Sequence, residues 1–377
     1  MSPDSTFPTF VEINLAALRH NFRQARSQAG AERKLLAVVK ADAYGHGIGP
    51  VAVCLQDEGA DLFGVASVQE GQQLREAGID RPVVILGGFF PGQEEALLRH
   101  RLIPILFDVE TARRLNQVAL ANGQVCPFHL KLDTGMGRVG FRPEELGAVL
   151  AEMAAWKGLR LEGVLSHLAL ADAPQDPLTS RQYETFCGML QQIRDAGHQP
   201  LWVHLSNSAA LFAHHLPACN LVRPGIVLYG ALPSDAFAGR LDLRSVMSWR
   251  THIYQLKQVP VGTGVSYGHR FKAERPSVLA AIPVGYSDGY SRRLSGCGEV
   301  LVRGQRARVA GTVCMNWTMI DVSDIPGVQV GDRVTLLGGD GDNCIGAEEL
   351  AAKAGTISYE IFCQVSKQIP RLYHDDR

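Results

Sequence analysis

The chain has 377 residues, of which 46% are hydrophobic and 20% charged, and its formal net charge is −1. That length suffices for one large domain with a smaller companion, and the composition is that of a globular protein. A near-neutral balance with no basic block gives no electrostatic case for nucleic acid or an anionic membrane, and no apolar run in the sequence approaches the ~20 residues that span a bilayer.

The opening stretch MSPDSTFPTFVEIN has neither the basic start nor the apolar run of a signal peptide. The eight cysteines are scattered and form no CxxC pair, which suits reduced thiols better than a disulfide framework or a zinc site. The expectation is a cytoplasmic enzyme without a bound metal.

In chain order, Phe10 to Ile13 reads as a short strand, and Asn14 is placed to cap a helix running to about Gln28, with Leu15, Leu18 and Phe22 on one face. Short apolar runs follow at 35–39, 62–66, 83–86, 102–107, 126–132, 161–166, 201–205 and 219–222. Helical patterns at 68–77, 93–100, 109–122, 143–156 and 178–196 lie between them. Eight βα-like units over roughly 200 residues predict a (β/α)8 barrel. An open doubly wound sheet shares the alternation, but it normally carries a glycine-rich phosphate turn after its first strand, and GxGxxG is absent there. From Met247 onward glycine and proline punctuate β-branched runs, with helical pattern confined to about 346–367. The expected organisation is a barrel over 1–240 and a mainly-β domain over 241–377, the boundary falling in the loop 231–244 and the strand at 10–14 associating with the β-domain.

Lys40 stands at the end of the apolar run Leu35 to Val39. Its ammonium must reach water, a partner, or a cofactor with which it reacts. A strand-end lysine ordinarily snorkels to solvent; the sharper reading is a Schiff-base lysine for pyridoxal phosphate. In a barrel the loops after the strand C-termini build the active site, so the residues there carry the test. They are Lys131 with the loop Asp133-Thr134-Gly135-Met136-Gly137-Arg138, His167, His204, Asn207-Ser208, and Arg223-Pro224-Gly225-Ile226. Each has a plain explanation singly, as a tight turn, a hydrogen-bonded edge residue or a surface ion pair. All of them fall on one predicted rim, and Ser208 and Gly225 suit a phosphate bound after the last two strands.

Nine segments in order, VVKADAYGHG, KLDTGMGRVGF, SHLALAD, NSAA, VRPGIVLYG, VSYGHRF, VGYSDGY, CMN and TISYE, give the chain a resemblance to alanine racemases over nearly its whole length. The resemblance implies racemisation of L- and D-alanine by a pyridoxal-phosphate enzyme that supplies D-alanine for peptidoglycan. It also implies a homodimer whose active site is shared across the interface. Lys40 would hold the cofactor and act as one base; Tyr267, from the β-domain of the partner subunit, would be the other. Tyr44, Ser208, Gly225, Ile226 and Tyr359 would hold the phosphate, Asn207 and Arg138 would also bind the cofactor, and His167 would lie against the pyridine ring. Arg223 would face the ring nitrogen, with His204 behind it. An arginine there cannot accept a proton and leaves that nitrogen unprotonated, which shortens the life of a carbanion and suppresses transamination. Arg138 and the Met315 N–H would bind the substrate carboxylate, Tyr286 would narrow the entrance, and Lys131 corresponds to a lysine that many family members carry as a carbamate. One position departs from the family pattern: CMD is common, and this chain has Cys314-Met315-Asn316.

Other readings compete. A broad-specificity amino-acid racemase shares the plan, but the missing signal segment and Tyr286 favour alanine. Decarboxylases of the related barrel place an acid at the pyridine nitrogen, so Arg223 separates them. A cofactor-carrying barrel without turnover would not need the second domain that carries Tyr267.

Overall fold

The computed structural model describes residues 7–375; the first six residues of the segment read above for a leader lie outside it. Eight parallel strands form one sheet: β2 (Lys34–Val38), β3 (Leu62–Val65), β4 (Val83–Ile85), β5 (Leu102–Leu106), β6 (Cys126–Lys131), β7 (Leu159–Leu165), β8 (Trp202–His204) and β9 (Leu221–Val222). From β2 to β8 each strand pairs with the next in sequence, and β9 returns to pair with β2 through Leu221 opposite Lys34. The sheet closes where Asn220 N donates to the Val203 carbonyl (3.1 Å) and Arg223 N to the Ser206 carbonyl (3.0 Å). The apolar runs become strands because they are covered on both faces: every residue of β3, β4 and β5 is buried. Helices at Ile48–Asp57, Val68–Glu76, Glu94–Arg99, Val109–Ala121, Leu146–Met153, Leu178–Asp195 and Ser208–Ala213 follow the strands in turn. This is a (β/α)8 barrel.

The first strand, β1 (Thr9–Asn14), is not part of the barrel. It pairs antiparallel with Met247–His252 and parallel with Arg371–His374, inside a sheet built otherwise from the C-terminal third of the chain. Asn14 then turns the chain into α1 (Leu15–Ala29) by accepting the Ala17 N–H at 2.8 Å. In α1, Asn21 ties the two parts together: its amide donates to the Leu228 and Arg244 carbonyls, and its oxygen accepts the Arg244 N–H. The rest of the C-terminal sheet runs Gln255–Val259, Ser277–Ile282, Thr318–Asp321, Gln305–Val309, Glu299–Val302 and Arg333–Asp340 before reaching Met247–His252. Helices Ala347–Ala354 and Ser358–Gln364 lead back toward the barrel, and the second of them carries Tyr359.

Candidate active site

Lys40 stands two residues past β2, and the backbone after it does something unusual. Ala41, Asp42, Ala43 and Tyr44 all have φ between 52° and 58°, so one full turn is left-handed without a single glycine. Each such residue costs roughly 1–2 kcal/mol, so surrounding contacts must hold the turn. His46 Nδ1 lies 3.0 Å from both the Ala43 and the Tyr44 carbonyl, and its ring is sandwiched between Tyr229 and Phe362. Burial holds His46 neutral, down to about 3, and a neutral imidazole facing two carbonyls carries its proton on Nδ1. The Asp42 N–H donates to Glu70, and the Ile48 N–H donates to Asp42. From the β-domain, Arg371 donates to the Gly45 carbonyl and Tyr373 to that of His46. Strain of this kind, fixed by neighbours on every side, is typical of a functional segment.

After β6 the loop bearing Arg138 is folded by Asp133, whose carboxylate accepts the N–H groups of Gly135, Met136 and Gly137 at 2.9–3.1 Å. Those bonds hold the Asp133 carboxyl below its ordinary range despite partial burial. Lys131 points inward from the same strand, buried, with its Nζ 3.0 Å from the Leu132 carbonyl. Burial first and Arg223 second bring its amine down to about 7.

Arg223 lies behind Lys131, 5% exposed, and none of its hydrogen-bond acceptors is a carboxylate. It donates to the Ser166 and Leu205 carbonyls (2.9 and 3.1 Å), to His204 Nδ1 (3.1 Å) and to His167 Nδ1 (3.3 Å). A guanidinium cannot accept, so it dictates the tautomers behind it. His204 Nδ1 is the acceptor, its proton sits on Nε2, and that N–H donates to His129 Nδ1 at 2.9 Å. Burial and Arg223 hold all three imidazoles neutral: His167 falls to about 2 and His129 to about 3, and His204 lies well below its ordinary value. Burial lowers Arg223 itself only to about 10, so it keeps its charge.

These groups meet in one cavity of ≈ 170 Å³ at the C-terminal mouth of the barrel. Four cationic side chains, Lys40, Lys131, Arg138 and Arg223, line it, and among the described residues no carboxylate does. Burial first, then Arg138, lowers the Lys40 ammonium, with Arg223 adding and Glu70 opposing. The other lining residues expected from the sequence are Tyr44, His167, Asn207, Ser208, Gly225, Ile226 and Tyr359. Ser208 Oγ accepts the Gly225 N–H at 2.8 Å, and a Cβ at position 225 would stand 2.6 Å from the Tyr44 hydroxyl. Glycine there leaves a cradle in which the Tyr44 and Ser208 hydroxyls converge with the backbone. Ser166 also lines the cavity and escaped the sequence reading, although it directly precedes His167. Its carbonyl accepts from Arg223 and its hydroxyl donates to the Leu132 carbonyl, so it links the two cationic strands.

Tyr267, Tyr286 and Met315 are elsewhere. None of them lines the cavity of its own chain; they stand on the β-domain 71%, 42% and 56% exposed. Tyr267 sits on a loop tip with positive φ at Ser266, Gly268 and His269, pinned where Thr312 Oγ1 donates to the Tyr267 carbonyl.

Comparison with known proteins agrees with this architecture. Residues 13–233 match the N-terminal domain of alanine racemase and residues 246–373 its C-terminal domain. An alanine racemase of Geobacter sulfurreducens is 50% identical over 370 residues, covering 97% of each chain. The structure of alanine racemase from Streptomyces coelicolor A3(2) superposes with a TM-score of 0.94 at 34% identity, over 99% of this chain and 100% of that one. The Bartonella henselae alanine racemase, described with covalently bound pyridoxal phosphate, gives 0.89 at 28% identity over 98% of this chain and 100% of that one. With both domains matched and half the residues shared with a full-length relative, the chain belongs to the alanine racemase family and is an isomerase.

Proposed function

We propose that this enzyme interconverts L- and D-alanine with pyridoxal phosphate held in the barrel cavity by Lys40. The observation that carries the proposal is the cavity wall: four cations, no carboxylate, and one of the cations a lysine whose ammonium is destabilised. Such a wall suits a cofactor phosphate together with a substrate carboxylate. The donor set fits the group, since the Tyr44, Ser208 and Tyr359 hydroxyls and the first N–H groups at Ile226 offer neutral donors around the Gly225 cradle. When bound, pyridoxal phosphate supplies the electron sink that makes the α-proton of an amino acid removable.

The chain's own residues then divide the work. Lys40 holds and returns a proton on one face, and its lowered pKa, set by desolvation and by Arg138, favours the neutral amine that a base needs. Arg223, fixed by His204, His167 and two carbonyls, presents a donor that never accepts. Arg138 reaches the substrate carboxylate. Lys131, brought to about 7, has enough free amine to take up CO2 as a carbamate, which would set a negative charge beside Arg138. Tyr267 serves as the second base in the partner's site, which accounts for a tyrosine held on a strained loop and left exposed. The Met315 N–H of the same partner assists Arg138 at the substrate carboxylate, and Tyr286 narrows the entrance to a small side chain. The assembly is a homodimer in the cytoplasm that provides D-alanine for peptidoglycan.

The test is an absorbance spectrum followed by racemisation of alanine, serine and lysine. A visible band fixed to Lys40 by borohydride is expected, with alanine turned over fastest. Lys40→Ala should lose the band and about 10³-fold or more of the rate. A borohydride-stable adduct in that variant, or equal turnover of the three amino acids, would overturn the reading.

A further inference from the structure

On the exposed rim of the β-domain, two short segments are clasped together. The Tyr286 N–H donates to the Cys314 carbonyl at 3.0 Å, and the Ser287 N–H donates to the Met315 carbonyl at 3.0 Å. The approach is so close that a Cβ on Gly285 would lie 2.2 Å from both of those carbonyl oxygens. A planar trans peptide holds its N–H opposite its C=O. Fixing the Cys314 carbonyl on Tyr286 therefore turns the Met315 N–H outward, and among the described residues it finds no acceptor.

Two side chains complete the clasp. Ser287 Oγ donates its one proton to the Met315 carbonyl at 2.8 Å, and Asn316 Nδ2 donates to Ser287 Oγ at 2.7 Å. The order of donors matters. A hydroxyl has one proton, and here it goes to Met315 at 2.8 Å rather than to Asp288 Oδ2 at 3.5 Å, so the group at 316 must meet the oxygen as a donor. An amide meets that need; a carboxylate would compete for the proton and draw it away from Met315. It would also bring a second negative charge next to Asp288, whose Oδ2 is 3.5 Å from Ser287 Oγ and accepts the Gly285 N–H.

From this chain of donors we infer that Asn316 is a positioning residue that sets affinity for the substrate carboxylate, acting through Ser287 on the Met315 peptide. It keeps the Met315 N–H aimed outward and keeps a second negative charge, beside that of Asp288, out of a mouth that must receive a carboxylate. The inference rests on the reading above that this N–H meets the substrate. It also gives a physical sense to Asn316 in a position where the family commonly has aspartate: in this chain residue 316 is matched to a serine at 287.

The experiment compares the holoenzyme with Asn316→Asp, Ser287→Ala and the double variant. It measures kcat and KM for alanine, and calorimetric affinity for propionate, which has the carboxylate but no amine. Both positions are exposed, so melting temperatures should stay together. Asn316→Asp should raise the KM and the propionate Kd about tenfold, the scale of one added charge at a partly exposed site, with kcat changed far less. Ser287→Ala should cost about threefold, for one neutral hydrogen bond. The double variant should be no worse than Asn316→Asp, because no hydroxyl proton remains to be diverted. Unchanged propionate affinity in Asn316→Asp, or single effects that multiply in the double variant, would overturn the inference. Should the wild type fail to racemise alanine, the functional proposal fails, while propionate affinity still decides the role of Asn316.

Discussion

The two halves of this molecule present functional side chains in opposite ways. The barrel gathers Lys40, Lys131, Arg138 and Arg223 around one cavity and fixes the innermost with bonds to neutral acceptors. The β-domain turns Tyr267, Tyr286 and Met315 outward, away from that cavity, on turns just as tightly pinned. A large exposed side chain on a pinned loop is costly to keep unless something meets it. The difference is what the proposed dimer requires: one chain builds the binding chamber, and the exposed groups of a second chain would reach it.

The sharpest way to break that comparison is to separate the two sets. If the proposed two bases act on opposite faces, Lys40→Ala and Tyr267→Phe enzymes should each lose about 10³-fold or more of the racemisation rate, since each would lack one of them. In a mixed dimer, one site would join the intact Lys40 of one chain to the intact Tyr267 of the other, and its mate would have neither. Random mixing makes about half the dimers mixed, so roughly a quarter of full activity should return. No recovery after demonstrated exchange would mean that Tyr267 serves its own chain or is not the base.

The barrel half was far more legible in sequence than the details that make it work. The eight strand runs came out within two residues of their observed bounds at every end, because parallel strands covered on both faces read as uninterrupted apolar stretches. The helix at Ile48–Asp57 gave no clean pattern: IGPVAVCLQD is apolar around most of its circumference and opens beside Gly47 and Pro50. The left-handed turn at Ala41 to Tyr44 was invisible, since none of its residues is a glycine and its cause is His46, Glu70 and Arg371 acting from outside it. Most lining residues with charge or a hydroxyl could be named from their places after strands; Ser166 has such a place too but was read as the last residue of its strand, and its ties to Arg223, Thr134 and Leu132 are to residues far away in sequence. The pairing of Asn316 with Ser287 spans 29 positions, and nothing local in either segment signals it.

A smaller effect sharpens what the buried half contributes. With its amine near 7, Lys131 is mostly protonated below that pH and mostly neutral above it, and only the neutral amine adds CO2. A carbamate carbon should therefore appear in ¹³C spectra with labelled bicarbonate above neutrality and fade as the pH falls below about 7. It should be absent in Lys131→Ala. If the carbamate orients Arg138, that variant and a CO2-free wild type should both show a KM for alanine raised by about 10- to 100-fold, the range of one charge-assisted hydrogen bond. A wild-type spectrum with no carbamate at alkaline pH, or a KM indifferent to CO2, would remove Lys131 from the site's electrostatics.

The smallest effect concerns the left-handed turn, where the buried half is strained as the exposed half is. His46 uses only Nδ1: that nitrogen faces the Ala43 and Tyr44 carbonyls, and Nε2 is buried with no partner in the structure. Asparagine places its amide nitrogen where Nδ1 lies, while glutamine places its amide nearer the position of Nε2. His46→Asn should therefore keep the donor to the turn, and His46→Gln should leave both carbonyls without it. Both lose the ring between Tyr229 and Phe362, so both should lower the melting temperature. Only the glutamine variant should also displace Tyr44 and weaken pyridoxal phosphate binding, by about three- to tenfold for one neutral hydrogen bond. Titrating the apoenzyme with the cofactor reads that difference without any turnover. Equal cofactor affinity in the two variants would show that the turn is held by Glu70 and Arg371 alone, and that the histidine contributes packing rather than a proton.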